Sequence, residues 1–366
     1  MKFCIFPLLM ILCLLLSGCV PSLQEAPEQS LSGQVIAPED NSLPPEEPLT
    51  QEEDPETGSS EEADPETTET PEEPITVEYR DAWTEILYGR VLTARNWFVY
   101  DVQAQEFLTI SGDPEAPVFP ASVTKLFSAY VALQYLSPDQ VITAGEELDL
   151  VPDDASVAGL QIGDKLRVDQ LIDGMMLPSG NDATFVLATH IGRLLTGDPE
   201  LSPEDAIARF VEQMNYHAAM VGLTDTRFVS SDGWHNDDHY TSMEDLVKIG
   251  MLAWTEPVIA QSASTVSNRI PMDEERTLSW DNSNILLNPN WDVYCPYAVG
   301  LKTGFTTPAG NCLLSAFQVG QRKLLIGVFG CPGSYDRYAE SLLLFTQAFD
   351  LTIPEPVPEE TTEPAA

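Results

Sequence analysis

Positive charge is what this chain has least of. Its 366 residues include 17 Lys and Arg against 58 Asp and Glu, a formal net charge of −41, and the six lysines stand at 2, 125, 165, 248, 302 and 323. A phosphate backbone needs a basic patch, so nucleic-acid binding is excluded. No G-x-G-x-x-G, no P-loop and no internal repeat occurs. The apolar run Phe3 to Leu16 behind Lys2 holds fourteen residues, short for a membrane span but suited to the apolar segment of a secretory signal. Hydrophobic residues still make up 43%, enough to build a core.

The apolar run ends in Leu16-Ser17-Gly18-Cys19. This resembles the lipobox of bacterial lipoproteins, which implies lipidation of Cys19 after removal of a signal peptide over 1–18. An ordinary signal or an uncleaved anchor with an incidental Cys stands as the alternative. From Val20 to Glu78 there are eighteen acidic residues, ten prolines and no Lys or Arg. Such a segment cannot bury enough surface to offset its chain entropy, so 19–78 reads as a lipidated Cys and a disordered, self-repelling linker. Residues 351–366 repeat the pattern with four prolines and four glutamates and read as a disordered tail. The globular body is then 79–350, with 36 acids against 16 bases. The expected location is the outer face of a bacterial cytoplasmic membrane, attached through the lipid.

Within the body, 97–102 and 106–110 read as two strands joined by a short turn. Pro120 precedes an almost wholly apolar helix over 122–136, expected to be buried. Helices follow over 169–176, 181–194, 203–220 and 242–254. The period then changes to strands over 297–304, 311–319 and 323–330, and a helix over 334–350 closes the body. This order predicts a mixed α/β domain.

Three short motifs carry chemistry. In Ser122-Val123-Thr124-Lys125 the residues three apart share a helix face, so the amine can take the hydroxyl proton if its pKa falls. The helix start also offers unpartnered N–H groups for an oxyanion. Ser179-Gly180-Asn181 sits before a helix, where it can face a cleft or simply cap. In Lys302-Thr303-Gly304, Lys302 and Gly304 share a strand face; the glycine admits close backbone approach and the lysine supplies charge for an anionic group. Each motif alone is weak, but two of only six lysines fall in them.

In the order S-x-x-K, S-x-N, K-T-G the chain resembles the penicillin-recognising serine enzymes. Pro120 to Lys125, Leu177-Pro178-Ser179-Gly180-Asn181-Asp182-Ala183, Asp232-Gly233-Trp234-His235, His239-Tyr240-Thr241 and Gly300 through Gly310 with Cys312 narrow this to the serine-type D-Ala-D-Ala carboxypeptidases, the low-molecular-weight penicillin-binding proteins. The resemblance spans about 94–350. It implies a β-lactamase/transpeptidase-like fold, an antiparallel sheet flanked by helices plus an all-helical subdomain. It implies that Ser122 attacks the penultimate D-Ala carbonyl of a peptidoglycan stem peptide and forms an acyl-enzyme, with Lys125 as base and Ser179 relaying the proton to the leaving amine. Asn181 holds Lys125 and the substrate amide. Lys302 and Thr306 face the terminal carboxylate, Thr303 assists, and the N–H groups of Ser122 and Phe305 form the oxyanion hole. The charge of Lys302 is expected to help lower the pKa of Lys125. β-Lactams would be covalent inhibitors, and neither metal nor cofactor is implied.

Many members add a β-rich second domain and an amphipathic C-terminal anchor; the polar tail after Asp350 gives no sign of either. A β-lactamase or D,D-endopeptidase on the same fold, and a non-catalytic penicillin- or muropeptide-binding lipoprotein, stay open as alternatives. His235 and His239, with Asp232, Asp237 and Asp238, are spaced for a metal, but the surrounding turn residues favour a hydrogen-bonded loop. Glu212 lies on an amphipathic helix and reads as structural. If the last hairpin turns over Gly320 to Lys323, Cys312 and Cys331 face each other, and an exported protein permits a disulfide there.

Overall fold

A computed structural model describes residues 76–356; the signal segment, Cys19, most of the acidic linker and the end of the tail lie outside the described residues. The described chain begins with α1 (Ala82–Leu87) and the hairpin β1 (Asn96–Asp101) and β2 (Glu106–Ile110). A single 3-10 turn, Ala121–Val123, leads into α2 (Thr124–Ala132). Then come β3 (Val141–Thr143), β4 (Lys165–Arg167), α3 (Val168–Met176), α4 (Asn181–Thr196), α5 (Pro203–Met220), α6 (Met243–Thr255) and α7 (Pro257–Ser264). The chain continues with β5 (Ser267–Pro271), β6 (Thr277–Asp281), β7 (Ala298–Thr306), β8 (Gly310–Val319), β9 (Arg322–Cys331) and α8 (Asp336–Ala348).

One antiparallel sheet organises these elements, in the order β2-β1-β9-β8-β7. Its two faces seed two cores. Trp83, Leu87, Leu342 and Phe345 from α1 and α8 pack with Val99, Leu313, Phe317 and Ile326. Phe98, Leu314 and Leu325 join the buried residues of α2 to α7 in the other. Phe345 stacks on Phe317 at 4.8 Å. Val77 and Tyr79 at one end, and Leu351 and Ile353 at the other, also rest on the α1–α8 core, so packing runs past the limits that composition suggested. The mixed α/β fold with an antiparallel sheet and a helical region matches the sequence reading. The small ladders β3–β4 and β5–β6, and helices α1 and α7, were not anticipated.

Local chemistry explains the helix ends. Ser202 accepts the N–H of Asp205 at 3.2 Å before Pro203 at the first turn of α5, and Ser242 accepts the N–H of Asp245 at 3.1 Å before α6. Both are side-chain caps, followed by acids that suit the helix dipole. Gly197, with φ 69°, closes α4 in the left-handed conformation.

The last hairpin corrects the cysteine expectation. Val319 pairs with Arg322, so the turn is the two residues Gly320 and Gln321, and a bulge between Asn311 and Leu313 shifts the far end so that Asn311 pairs with Cys331. Gly320, with φ 56°, supplies the turn conformation. Cys295, Cys312 and Cys331 are all free and buried. Burial pushes the Cys312 thiol up to about 11 and those of Cys295 and Cys331 further still, so they behave as packing groups.

Candidate active site

The turn ahead of α2 places Ser122 at the mouth of a cleft of about 210 Å³. Its neighbour Ala121 has φ 48°, an uncommon conformation for a residue with a Cβ. Two glycines allow other segments to close on this turn. A Cβ on Gly304 would stand 2.9 Å from the Pro120 carbonyl and 3.1 Å from the Ser122 nitrogen; one on Gly233 would overlap the Ala121 carbonyl. Strand β7 and the 230–235 loop therefore reach the turn at Ser122 because they carry no side chain there.

Beneath Ser122 lies Lys125, entirely buried. Its Nζ is 2.8 Å from Ser122 Oγ, 2.8 Å from Asn181 Oδ1 and 2.9 Å from the Asp232 carbonyl. Burial lowers its pKa to about 8, against the opposing charges of Asp232 and Asp182. Roughly a tenth of the amine is then neutral near pH 7 and able to accept the Ser122 proton. The expected help from Lys302 is not the cause: burial does this, and the repulsion between the two lysines falls on Lys302. That residue is also buried; its Nζ donates to the adjacent Thr303 carbonyl at 3.1 Å and stands 3.4 Å from Thr303 Oγ1. Burial first, then the Lys125 and Arg337 charges, hold it well below the ordinary lysine value.

Ser179 and Asn181 come from the junction into α4. Ser179 has φ 65°, and its hydroxyl lines the cleft with no hydrogen bond to another described residue. Asn181 is oriented from both ends, accepting from Lys125 and donating through Nδ2 to Asp232 Oδ2 at 2.5 Å. Asp182 accepts the N–H groups of Ala158, Gly159 and Leu160 at 2.7, 2.9 and 3.1 Å, which ties the loop bearing Asp154 and Ser156 to α4. Thr303, Gly304, Phe305 and Thr306 of β7 form the facing wall, and Thr303 Oγ1 lies 2.7 Å from Ser283 Oγ.

Ser122, Ser179, Asn181, Thr303, Gly304, Phe305 and Thr306 thus line one cleft, with Lys125 under Ser122. Lys302 does not reach the cleft surface. The cation on the wall is Arg337, whose Nη1 donates to the Gly304 carbonyl at 3.1 Å. It lies on α8, and no motif in the sequence pointed to it. The sequence offers Asp232 as part of a longer match and as a neighbour of the His235–His239 pair, but not as the partner of Asn181. His239 is built into the fold: Nδ1 accepts the N–H groups of Val229 and Ser230 at 3.2 and 3.3 Å, and Nε2 meets Thr124 Oγ1 at 2.8 Å. Burial lowers its pKa to about 4. Glu212 sits on the surface beside Arg209.

Residues 88–333 match the family model for D-alanyl-D-alanine carboxypeptidase, peptidase S11. The chain is 28% identical over 269 residues to D-alanyl-D-alanine carboxypeptidase DacC of Escherichia coli, covering 70% of this chain and 61% of that one. It is 31% identical over 242 residues to the D-alanyl-D-alanine carboxypeptidase of Streptomyces sp. K15, covering 63% and 78%. The crystal structure of the Streptomyces K15 DD-transpeptidase superposes with a TM-score of 0.64 at 26% identity, over 72% of this chain and 99% of that one. The chain spans about three fifths of the length of its enterobacterial relatives. With more than half of its residues matched and the serine–lysine–asparagine cluster assembled in one cleft, the chain belongs to the peptidase S11 family.

Proposed function

We propose that this protein is a serine-type D-Ala-D-Ala carboxypeptidase that removes the terminal D-Ala from peptidoglycan stem peptides. The observation that carries this reading is the buried amine of Lys125, 2.8 Å from Ser122 Oγ and brought to about 8 by burial. Neutral Lys125 takes the Ser122 proton as Oγ bonds to the penultimate D-Ala carbonyl carbon. The N–H groups of Ser122 and Phe305 receive the developing oxyanion. The C–N bond then breaks, and the proton passes through Ser179 to the leaving D-Ala amine. Water cleaves the acyl-enzyme, with Lys125 again as base. Asn181 holds the substrate amide, and Arg337, with Lys302 beneath the wall and Thr303 and Thr306 on it, favours the terminal carboxylate.

The acids that line the cleft among the described residues are Asp154 and Asp232, and no glutamate stands there to activate a deacylating water. This favours a long-lived penicilloyl adduct over rapid penicillin turnover, and β-lactams are covalent inhibitors on this reading. The test is to incubate the full chain with a D-Ala-D-Ala peptide and with penicillin. D-Ala release with a persistent adduct is expected; fast penicillin turnover without D-Ala release would make it a β-lactamase, and neither reaction a binding protein.

The same proposal places the catalytic body, 79–350, on a tether. Leu16-Ser17-Gly18-Cys19 after an apolar run supports lipidation of Cys19, and the acidic 20–78 segment supports a linker. Two acyl chains suffice for stable attachment to the outer membrane face. Cys19→Ala is expected to move the processed protein from the detergent to the aqueous phase. A processed variant that stays in the detergent phase contradicts the lipid anchor.

A further inference from the structure

The loop of residues 228–239 lies along α2 and meets it turn by turn. Ser128 Oγ donates to the Ser231 carbonyl at 2.5 Å, Lys125 Nζ donates to the Asp232 carbonyl at 2.9 Å, and Gly233 abuts the Ala121 carbonyl. Backbone pairing closes the loop at its base. Arg227 and Tyr240 exchange hydrogen bonds of 2.9 and 3.1 Å, and Val118 and Thr241 exchange bonds of 2.6 and 2.9 Å just ahead of the Ser122 turn. His239 stands inside this loop, buried and away from the lining of the cleft.

The two ring nitrogens of His239 have opposite roles. Nδ1 faces the N–H groups of Val229 and Ser230, at 3.2 and 3.3 Å, so it carries no proton. The proton of the neutral ring therefore sits on Nε2 and is donated to Thr124 Oγ1 at 2.8 Å. Thr124 is buried too, and it opens α2 between Ser122 and Lys125. We propose that His239 is a positioning residue for acylation: by joining Thr124 to the Val229–Ser230 turn, it holds the Asp232 carbonyl against the Lys125 amine and that amine against Ser122. This rests on the serine–lysine acylation of the carboxypeptidase reading and adds to it a residue outside the cleft.

The geometry shows why this link matters to the base. Besides Ser122 Oγ, the Lys125 amine has two partners, the Asp232 carbonyl and Asn181 Oδ1. Asn181 is itself oriented by the Asp232 carboxylate at 2.5 Å. Both partners therefore depend on where the stretch from Ser231 to Gly233 sits, and His239 fixes the two residues just before it. A displacement of about 1 Å is enough to slow a positioned reaction by up to about a hundredfold. Only the neutral ring with its proton on Nε2 fits, since a proton on Nδ1 would face two N–H groups. Burial, which lowers the His239 pKa to about 4, maintains that form near neutral pH. Phe228, edge-on to the ring with centroids 5.7 Å apart, limits its rotation.

The experiment follows acylation of the full chain in detergent by fluorescent penicillin over a range of concentrations, so that the binding constant and the acylation rate constant separate. Thr124→Val removes the acceptor at nearly constant size. It should lower the rate constant by about tenfold, the scale of one buried hydrogen bond, and leave the binding constant unchanged. Thr124→Ser keeps the hydroxyl and should recover most of that loss. His239→Asn keeps an acceptor near Nδ1, loses the donor, and should match Thr124→Val. The double variant should be no slower than either single one, because both cut the same link. The final labelled fraction separates slow acylation from loss of folded protein, and where Thr124→Val yields little folded protein the comparison is read from His239→Asn. Native rate constants in Thr124→Val or His239→Asn, equal losses in Thr124→Val and Thr124→Ser, or additive losses in the double variant overturn the positioning role. D-Ala release by the native chain tests the carboxypeptidase reading separately. Labelling without release overturns that reading and leaves the positioning role to the acylation rates; a native chain that does not label overturns both.

Discussion

Lys125 in the floor of the cleft and Lys302 in its wall are buried alike, at 0% and 1% exposure, yet they are served very differently. Three acceptors from three separate segments surround the Lys125 amine. Among the described residues Lys302 has only the carbonyl and hydroxyl of its own neighbour. Burial opposes charge in both, but opposing carboxylates partly offset it for Lys125 and leave it near 8. Lys302 has no such offset and faces two other cations. The floor thus holds a fully partnered amine, while the amine behind the wall is left with the groups of its own neighbour. Hydrogen bonding, rather than depth, separates their roles.

The largest effect should come from the floor. Ser122→Ala is expected to abolish covalent labelling by fluorescent penicillin. Lys125→Ala should slow acylation by about 10²–10⁴-fold, the usual contribution of a positioned base. Acylation of Lys125→Ala at the native rate would remove this amine from the reaction.

Beneath the floor, His239 should make stability depend on pH. Its folded pKa is about 4 against 6.5 when free. Between those values the unfolded chain binds a proton that the folded chain refuses. Stability present above pH 6.5 is therefore lost as the pH falls through this window, by about 3 kcal/mol in all, and levels off below pH 4. Denaturant titrations from pH 7.5 to 4 should show the loss, and His239→Gln should reduce it, leaving the smaller share of His190 and His217, which burial also shifts down. An equal loss in the variant would assign the acid sensitivity elsewhere.

Stability should also separate the two lysines. Lys125→Met strands the Asn181 and Asp232 acceptors and is expected to cost about 1–3 kcal/mol. Lys302→Met removes a poorly partnered buried cation and should fall within about 1 kcal/mol of the native protein, or above it. Equal losses in urea melts would break the contrast between floor and wall.

Much of this site was legible because its parts are close in sequence. Ser122 and Lys125 share one helical turn; Ser179 and Asn181 flank one glycine; Thr303 to Thr306 are consecutive. The long helices and the sheet strands were legible through period, as in α5 with its Ser202 cap. Arg337 was not, because α8 delivers it across the sheet and nothing local marks it. Asp232 was hidden because its role depends on Asn181, fifty-one residues away. The β5–β6 hairpin escaped because Ser267–Pro271 buries only Ile270, too little alternation to read as a strand. The cysteine register failed on one turn, where Gly320 reverses the chain in two residues and a bulge at Asn311 moves the pairing again.

The smallest expected effect is the most specific to the floor. Asp232 accepts from Asn181 Nδ2 and so sets which face of that amide meets Lys125. Its charge also raises the Lys125 pKa against burial. On the proposed mechanism acylation requires the neutral amine, so in the native protein its rate should climb with pH through about 8. Asp232→Asn keeps the size and the backbone carbonyl that accepts from Lys125 but removes the charge. The acid limb of penicillin acylation should then move to lower pH, because the neutral amine is reached sooner. A purely structural role for Asp232 would lower the rate at every pH and leave the limb where it was. Acylation measured from pH 5.5 to 9.5 on both proteins separates the two outcomes, and an unmoved limb would mean that the Asp232 charge does not tune the base.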